Sequence, residues 1–311
     1  MSRVVVVGSV NIDITVRLDR LPRPGETVLG GDAVFRPGGK GANQAVAASR
    51  LGADTTLYAA LGADAFGRQI RDALGVEGVG REHLLDLAGE TTGIAMIAVA
   101  GDGENTIVVA SGANLALDPG AVNGLRDALA PGDVVVIQLE IPVETGLAAA
   151  TAARAVGARV VLNAAPPPKP GDPTFQVLLH TVDVLVVNET EAVALADRPA
   201  PTSPRAWTGI AGELCGQGPT ACVITLGGQG AVAHDATGGW TQPAFGAEVV
   251  DTTGAGDAFC GALAAALADD LPLAAAVRRG CAAGALATAK VGAQSAMPTR
   301  GELGSLVGGE A

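Results

Sequence analysis

Aromatic residues and cysteines are scarce in this sequence. Aromatic residues make up 3% of the 311 residues, so the core must be built from Ala, Val, Leu and Ile. With 48% hydrophobic residues, the chain can still bury a large core. The four cysteines include no C-x-x-C pair, and we expect Cys260 and Cys281 to be buried thiols. The histidines are scattered and show no metal-ligand spacing: His83, His180 and His234.

Basic residues are also few. The chain has 20 Lys and Arg against 32 Asp and Glu, which gives a formal net charge of −12. This balance argues against nucleic acid or an anionic membrane as the partner, because both need basic residues that neutralise phosphates. A small phosphorylated ligand stays compatible, since a glycine-rich turn with Mg²⁺ can overcome the overall field.

Long hydrophobic runs are missing as well. The apolar run at Val4–Val7 is too short for a signal peptide, and no run reaches the roughly 18 residues that a membrane-spanning helix needs. We therefore expect a soluble protein. The unpaired cysteines favour the reducing cytoplasm as its location.

The stretch 249–270 carries the strongest chemical signal. It is predicted to form a strand end, a glycine-rich turn and an Ala/Leu-rich helix, with Gly254 and Gly256 at the junction. The first N–H groups of a helix have no partner within it, and glycines let a phosphate approach them. Asp257 would repel a phosphate there, but it suits a base that takes a proton from an attacking hydroxyl. The alternative is an ordinary capping aspartate.

Two segments near the N-terminus place further polar residues. The run 3–13 predicts a buried strand that delivers Asn11 and Asp13 at its C-terminal end, where α/β sheets bind ligands; a strand-ending turn is the alternative. In 36–53, a flexible Gly38-Gly39 joint precedes a helix from about residue 41 to 51, with Lys40 and Asn43 at its start. This is not a P-loop, because glycine follows the lysine where Ser or Thr is required.

Residues 14–36 and 93–110 predict a small, separate sheet. Both contain short alternating pieces, and the second has the composition of a hairpin. We expect Asn114 to lie near the joint between this sheet and the main body.

From residue 118 onward, helices and apolar strands alternate. Helices are predicted over 119–129 and 143–156, strands over 133–140 and 158–166, and a strand that opens into a helix over 183–191. This alternation predicts a mostly parallel sheet covered on both faces, hence a three-layer α/β/α fold in a single domain over 1–311. Polar residues again end the strands, namely Glu140, Asn163, Asn188 and Glu191.

Asn188 and Glu191 leave two interpretations open. Side-chain oxygens three residues apart at a helix start could organise a hydrated Mg²⁺. Asn followed by Glu at the third helical position is equally a capping box.

The last third of the chain adds a loop, a hairpin and two helices. Residues 199–207 are predicted to be a Pro-rich loop, and helices are predicted over 272–289 and about 299–307. Residues 220–235 predict strand, turn and strand. The turn holds Gly227, Gly228 and Gly230, which either pass under a nucleotide or make a tight hairpin.

Together these motifs resemble the ribokinase-like (PfkB-type) sugar kinases over essentially the whole chain. GGKGANQAVAASRLGA (38–53) and DTTGAGDAFCGALAAAL (251–267) are the long motifs. SGANLAL (111–117), VNETE (187–191) and ITLGGQG (224–230) follow the family's order. Within the family, VNID, the complete GGKGANQ and QLE resemble the members that phosphorylate ribose.

The resemblance implies ATP-dependent phosphorylation of the 5-hydroxyl of D-ribose. Asp257 is then the base, and the backbone N–H groups of Gly254, Ala255 and Gly256 form the anion hole. The residues implied to hold the sugar are Asn11, Asp13, Gly39, Lys40, Asn43, Glu140 and Asp257. The residues implied to line the ATP site are Asn188, Thr225, Gly227, Gly228, Gly230 and Gly256.

Two cations, a lid and a dimer are also implied. Asn188 and Glu191 would organise Mg²⁺ through water. A monovalent cation, usually K⁺, would lie in a cage made mostly of backbone carbonyls, at Asp251, Thr253, Ala287, Lys290, Gly292 and Ala296. Ala296 departs from the family's serine, which removes one side-chain oxygen. The small sheet would act as a lid over the sugar and pair two subunits in a homodimer.

Three other functions are alternatives to this one. The first is a kinase of the same family for another substrate, such as fructose, deoxyribose or adenosine. The second is a non-catalytic sugar-binding regulator, which the joint presence of Asp257, its glycines, Asn188 and Glu191 disfavours. The third is a Rossmann dehydrogenase, which is excluded because no G-x-G-x-x-G follows the first strand.

Overall fold

The computed structural model describes residues 2–308 of the chain. The strands in this range are β1 Val4–Val7, β2 Asn11–Arg17, β3 Val34–Gly38, β4 Thr55–Gly62, β5 Leu84–Leu87, β6 Gly93–Val99, β7 Asn105–Ala110, β8 Val134–Gln138, β9 Arg159–Asn163, β10 Val184–Asn188, β11 Ala221–Thr225, β12 Ala231–Asp235 and β13 Gly238–Gln242. The α-helices are α1 Lys40–Arg50, α2 Ala65–Val76, α3 Leu125–Ala128, α4 Val143–Val156, α5 Pro173–Leu179, α6 Glu189–Ala196, α7 Pro204–Cys215, α8 Ala255–Ala268, α9 Leu273–Thr288 and α10 Arg300–Val307.

The large sheet has nine strands in the order β13-β12-β11-β10-β9-β8-β1-β4-β5. Neighbours from β11 to β5 pair in parallel, whereas β12 is antiparallel to both β11 and β13. Along β1, Val4 and Val6 belong to one buried apolar cluster, and Val5 and Val7 to the other. The sheet is therefore covered on both faces, and the predicted three-layer α/β/α fold is confirmed.

Helix α8 lies at the centre of one helical layer and is buried from Asp257 to Ala268. Gly261 faces α1, and a Cβ at this position would lie 2.5 Å from the Cβ of Ala47 and 2.7 Å from the backbone oxygen of Gln44. Only a hydrogen atom fits in this space. The absence of a side chain at residue 261 therefore brings the first turns of α1 and α8 together.

The small sheet has four strands in the order β3-β2-β6-β7. The outer pairs β2–β3 and β6–β7 are antiparallel, and β2 pairs with β6 in parallel. Residues 18–33 contribute no strand, although alternating pieces were expected there. Every residue of β7, at one edge, is exposed.

The prediction of one strand over 3–13 is wrong. Strand β1 ends at Val7, and Asn11 and Asp13 belong to β2 of the small sheet. Between the two strands, a side chain pairs with the backbone groups of Val10. Asn114 Oδ1 accepts from the N–H of Val10 at 2.9 Å, and Asn114 Nδ2 donates to the C=O of Val10 at 3.0 Å. Asn114 thus takes the place of a neighbouring strand, and the chain leaves the large sheet there.

A strand that ends at Val249 does not form either. The N–H groups of Val250 and Asp251 donate to the C=O of Thr288 at the end of α9, at 2.8 and 3.1 Å. The side chains of Val249 and Val250 are exposed. The segment before α8 therefore packs on a helix end instead of extending the sheet.

Two further elements differ from the sequence expectations. The helix predicted over 119–129 consists of a 3₁₀ turn, Pro119–Val122, and the single-turn α3, with Gly124 between them. The loop predicted over 199–207 ends early, because α7 begins at Pro204, a position where a helix tolerates proline. Strands β5 and β13 and helix α5 were not predicted.

The expected burial of two cysteines is confirmed. Cys260 and Cys281 are buried, and all four cysteines are free thiols. Within residues 2–308, no helix combines the length and hydropathy needed to cross a bilayer.

Candidate active site

Asp257 lies in the first turn of α8 and is 8% exposed. The residue before the helix, Gly254, has a left-handed backbone with φ 75°, and no side chain in residues 2–308 caps this end. The interpretation of Asp257 as a capping residue is therefore wrong. Its carboxylate instead accepts two hydrogen bonds from α1, from Asn43 Nδ2 to Oδ2 at 2.9 Å and from Gln44 Nε2 to Oδ1 at 3.0 Å.

A chain of buried amides continues from Asp257. Gln44 Nε2 also donates to Asn163 Oδ1 at 3.0 Å, and Gln44 Oε1 accepts from Gln138 Nε2 at 2.6 Å. Gln44 and Gln138 are fully buried. Neither was predicted to belong to the site. The only signal in the sequence is an uncharged polar residue within an Ala-rich helix and another at the end of an apolar strand.

Two further carboxylates, those of Glu140 and Asp13, lie near the start of α1. Glu140 Oε2 accepts from Ser9 Oγ at 2.5 Å and from the N–H of Lys40 at 3.3 Å. Asp13 packs on the backbone of Gly38, where a Cβ would lie 2.2 Å from Asp13 Oδ2. Glycine at position 38 is thus required for the observed position of the Asp13 carboxylate.

Asn11 completes this side of the site. Asn11 is 3% exposed, and its Oδ1 accepts from Asn114 Nδ2 at 2.8 Å. Gly39, which precedes α1, has φ 89°. The amino acids that the resemblance implies as sugar ligands thus lie around the junction of β2, α1 and the end of β8.

Carboxylates outnumber cations in this region, and the charges of three of them act on Lys40. Burial, together with the charges of Glu140 and Asp257, raises the pKa of Asp13 to about 7. Burial lowers the pKa of Lys40, but the charges of Asp257, Glu140 and Glu191 outweigh it, so the pKa is raised overall. The site is therefore electronegative and suited to hydroxyl donors.

The pKa of Asp257 is also raised. Burial is the main cause, and the charge of Lys40 together with the hydrogen bonds from Gln44 and Asn43 opposes it. A raised pKa makes a carboxylate a better proton acceptor, provided that it stays ionised.

Two adjoining cavities meet at the first turn of α8. One, of about 230 Å³, is lined by Lys40, Asn188, Glu191 and Asp257. The other, of about 410 Å³, is lined by the end of β11, the β11–β12 turn, the segment after β13 and α9, namely by Thr225, Gly227, Gly228, Gly230, Phe245, Gly284 and Thr288. Thr225 and Gly256 line both cavities, so an elongated ligand can extend from the β11–β12 turn to Asp257.

The structure decides part of the alternatives left open by the sequence. Asn188 and Glu191 form a capping box, with Glu191 N donating to Asn188 Oδ1 at 2.9 Å and Asn188 N to Glu191 Oε2 at 2.8 Å. The glycine-rich turn does join two antiparallel strands. Added Cβ atoms at Gly227 and Gly228 would meet no described atom within 4 Å, so the turn also leaves open space beside these glycines.

Two segments expected to form a cation cage are tied together by Asp251. Its Oδ1 accepts from the N–H of Thr253 at 2.9 Å, and its Oδ2 from the N–H of Gly292 at 2.8 Å. Burial raises the pKa of Asp251, but these hydrogen bonds outweigh it, and the pKa is lowered. The carboxylate therefore stays ionised.

The remaining cage residues lie near the same loop. Ala287 and Ala296 are fully buried. The side chain of Lys290 points to α10, where Nζ pairs with Glu302 Oε1 at 2.6 Å, so only its backbone is available to the cage. The part of the chain that the structure describes holds no cluster of three His, Cys, Asp or Glu side chains arranged for a metal ion.

Comparisons with known proteins show the family. The family described as pfkB family carbohydrate kinase matches residues 1–300. The chain is 37% identical to a ribokinase of Haemophilus influenzae over 297 residues, which cover 96% of this chain and 95% of that protein. It is 36% identical to a ribokinase of Bacillus subtilis over 307 residues, 99% of this chain and 100% of that one.

A solved structure is similar over the full length. The Arabidopsis thaliana ribokinase complexed with ribose and ATP has a TM-score of 0.89 and 32% sequence identity, with 99% of each chain covered. The chain therefore belongs to the pfkB family of carbohydrate kinases.

Proposed function

We propose that the protein transfers the γ-phosphoryl group of ATP to the 5-hydroxyl of D-ribose. The observation that carries this proposal is the Asp257 carboxylate, held by two amides at the uncapped N-terminus of α8, where the cavity lined by Lys40, Asn188 and Glu191 meets the cavity of the β11–β12 turn. The similarity to proteins named ribokinase, one described with ribose and ATP, supports the choice of substrates.

In this reaction, positioning and charge stabilisation matter more than covalent chemistry. Asp257 accepts the proton of the 5-hydroxyl as the oxygen attacks the γ-phosphorus and the bond to ADP breaks. The N–H groups of Gly254, Ala255 and Gly256 face the transferring group and stabilise its charge. No described side chain caps these groups, although the N–H of Ala255 also donates to the C=O of Thr252 at 3.2 Å.

Polar groups near the start of α1 hold the sugar. Asp13 and Glu140 accept hydrogen bonds from hydroxyl groups, and Lys40 donates one. Asn43 Oδ1 is buried and has no hydrogen-bond partner within residues 2–308, so a sugar hydroxyl can donate to it. Asn11 and the backbone at Gly39 complete the set.

The nucleotide occupies the cavity of the β11–β12 turn, along Thr225, Gly227, Gly228 and Gly230. Mg²⁺ neutralises the phosphates when bound. Asn188 and Glu191 fit it through water, because both residues line the same cavity as Asp257 and the capping box uses only Oε2 of Glu191.

A monovalent cation, K⁺ by resemblance, fits the loop beside the anion hole. The ionised Asp251 supplies the charge that such an ion needs, and the candidate carbonyls are those of Thr253, Ala287, Lys290, Gly292 and Ala296. The buried Ala296 offers no side-chain oxygen, so the cage has one ligand fewer than a serine would give.

The function is tested by measuring ADP release with Mg·ATP and K⁺. D-ribose, 2-deoxyribose, fructose, adenosine and no sugar are compared, and each reaction is repeated without K⁺ and without Mg²⁺. We expect ribose-dependent turnover far above the other reactions. Turnover on adenosine or fructose instead would support a kinase with a different substrate. Sugar binding without any turnover would favour the non-catalytic regulator.

We propose a single kinase domain in which the small sheet is both a lid and the surface that pairs two subunits. As a lid, it excludes water from the site, which limits wasteful hydrolysis of ATP. The pairing is supported by the edge strand β7, where the side chains of Ile107, Val108 and Val109 are 53%, 55% and 47% exposed.

Val108→Lys is expected to convert a dimer into a monomer, because a charge on this edge opposes the burial of apolar surface. Sedimentation velocity measures the change. Val177→Lys is the matched control, since Val177 is also 55% exposed but lies on α5 in the main body. A monomeric wild-type protein, or dissociation by both variants alike, would rule out pairing through the small sheet.

A further inference from the structure

Gln44 is the junction of a buried hydrogen-bond network at the base of the site. It is fully buried in α1, and each polar atom of its side chain has a partner. Nε2 donates to Asp257 Oδ1 and to Asn163 Oδ1, both at 3.0 Å. Oε1 accepts from Gln138 Nε2 at 2.6 Å.

The direction of these hydrogen bonds is fixed by the backbone of β10. Asn163 Nδ2 donates to the C=O of Val186 at 3.2 Å, and a carbonyl can only accept. Asn163 must therefore present its Oδ1 to Gln44. A flipped Gln44 amide would place Oε1 against both Asn163 Oδ1 and the Asp257 carboxylate, so the observed orientation is the stable one.

This orientation matters for Asp257 because burial favours the protonated carboxyl group, which cannot accept a proton. Hydrogen bonds donated to a carboxylate favour its ionised form. Asn43 donates to Oδ2 and Gln44 to Oδ1, so the two neighbouring residues of α1 hold the two oxygens separately.

We propose that Gln44 is a positioning residue for the phosphoryl transfer: with Asn163 behind it, it orients the Asp257 carboxylate and keeps it ionised. This inference rests on the proposed role of Asp257 as the base. Gln44 does not itself contact the reacting atoms, because Asp257 and Asn163 occupy its donor side.

Gln44→Met tests this role, because methionine keeps the length of the side chain and removes its donor groups. We expect kcat to fall about 10- to 100-fold near neutral pH, from the loss of a hydrogen bond to a charged group. The acid limb of the pH profile of kcat should move to higher pH by about one unit. The KM for the sugar should change less than about threefold, since Gln44 lies behind the residues that hold the sugar.

Gln138→Met is the matched control. It also replaces a fully buried glutamine and leaves a partner unpaired, but Gln138 donates to Gln44 and not to the Asp257 carboxylate. Both variants should lower the melting temperature, and only Gln44→Met should move the acid limb. Equal shifts in both variants, or none in Gln44→Met, would overturn the inference and leave Gln44 as an ordinary core residue.

A second measurement does not depend on activity. In protein labelled with ¹³C at the aspartate carboxyl groups, the Asp257 resonance is the one that Asp257→Asn removes. Its titration midpoint in the sugar-free protein should be higher in Gln44→Met than in the wild type, and an unchanged midpoint would also contradict the inference. If the wild type phosphorylates no sugar, the proposed function fails, whereas this midpoint still decides whether Gln44 controls Asp257.

Discussion

Asp257→Asn is expected to lower kcat about 10²- to 10⁴-fold, which is the usual contribution of a positioned general base. Asparagine keeps the size of the side chain but cannot accept the proton of the sugar hydroxyl. It also offers one acceptor oxygen where the carboxylate offers two, so either Asn43 or Gln44 would face an NH₂ group. Sugar binding should persist, because the other side chains proposed to hold the sugar are unchanged.

The measurements are ADP release for turnover and calorimetry for sugar affinity. Asp269→Asn is the matched control, since Asp269 is an exposed aspartate at the opposite end of the same helix. Its kcat should equal that of the wild type. Near-normal turnover of Asp257→Asn would show that another group accepts the proton.

Sugar affinity should depend on pH through Asp13. The pKa of this group is raised to about 7 in the sugar-free protein, and the ionised form accepts hydroxyl hydrogens more strongly than the protonated form. The dissociation constant should therefore rise about tenfold for each pH unit below 7 and level off above it. Asp13→Asn should bind ribose about 10- to 100-fold more weakly at pH 8 and lose this pH dependence.

The same substitution should stabilise the sugar-free protein. Between the ordinary pKa of 3.8 and the folded value of about 7, the folded state holds a proton that the unfolded state releases. Rising pH therefore lowers the free energy of unfolding over this range. At pH 8, Asp13→Asn removes the cost of a partly buried charge, about 1–3 kcal/mol. The gain should disappear towards pH 4, and thermal melts at both pH values measure it.

Local patterns predicted much of the site. The glycines and Asp257 at the start of α8, and the capping box of Asn188 and Glu191, each lie within a few consecutive residues. Periodicity over the same short range also predicted the parallel strands and their helical cover. Such features are visible because neighbouring residues determine them.

The missed features depend on contacts between distant parts of the chain. The network that holds Asp257 joins residues 44, 138, 163 and 257, and no local pattern shows that their side chains meet. The run 3–13 reads as one strand because the feature that divides it, Asn114, lies a hundred residues further on. In both cases a buried polar side chain supplied a hydrogen bond that the sequence alone could not assign.

The contact between Gly261 and Ala47 limits how this enzyme can be engineered. Replacing helical glycines with alanine is a common route to thermostability, because it improves helix propensity by about 1 kcal/mol. Gly209 in α7 has open space for a methyl group. At Gly261 the same change would push α1 away from α8 and separate Asn43 and Gln44 from the carboxylate they hold. A routine stabilising substitution, one helical turn from the base, would thus act as an inactivating one.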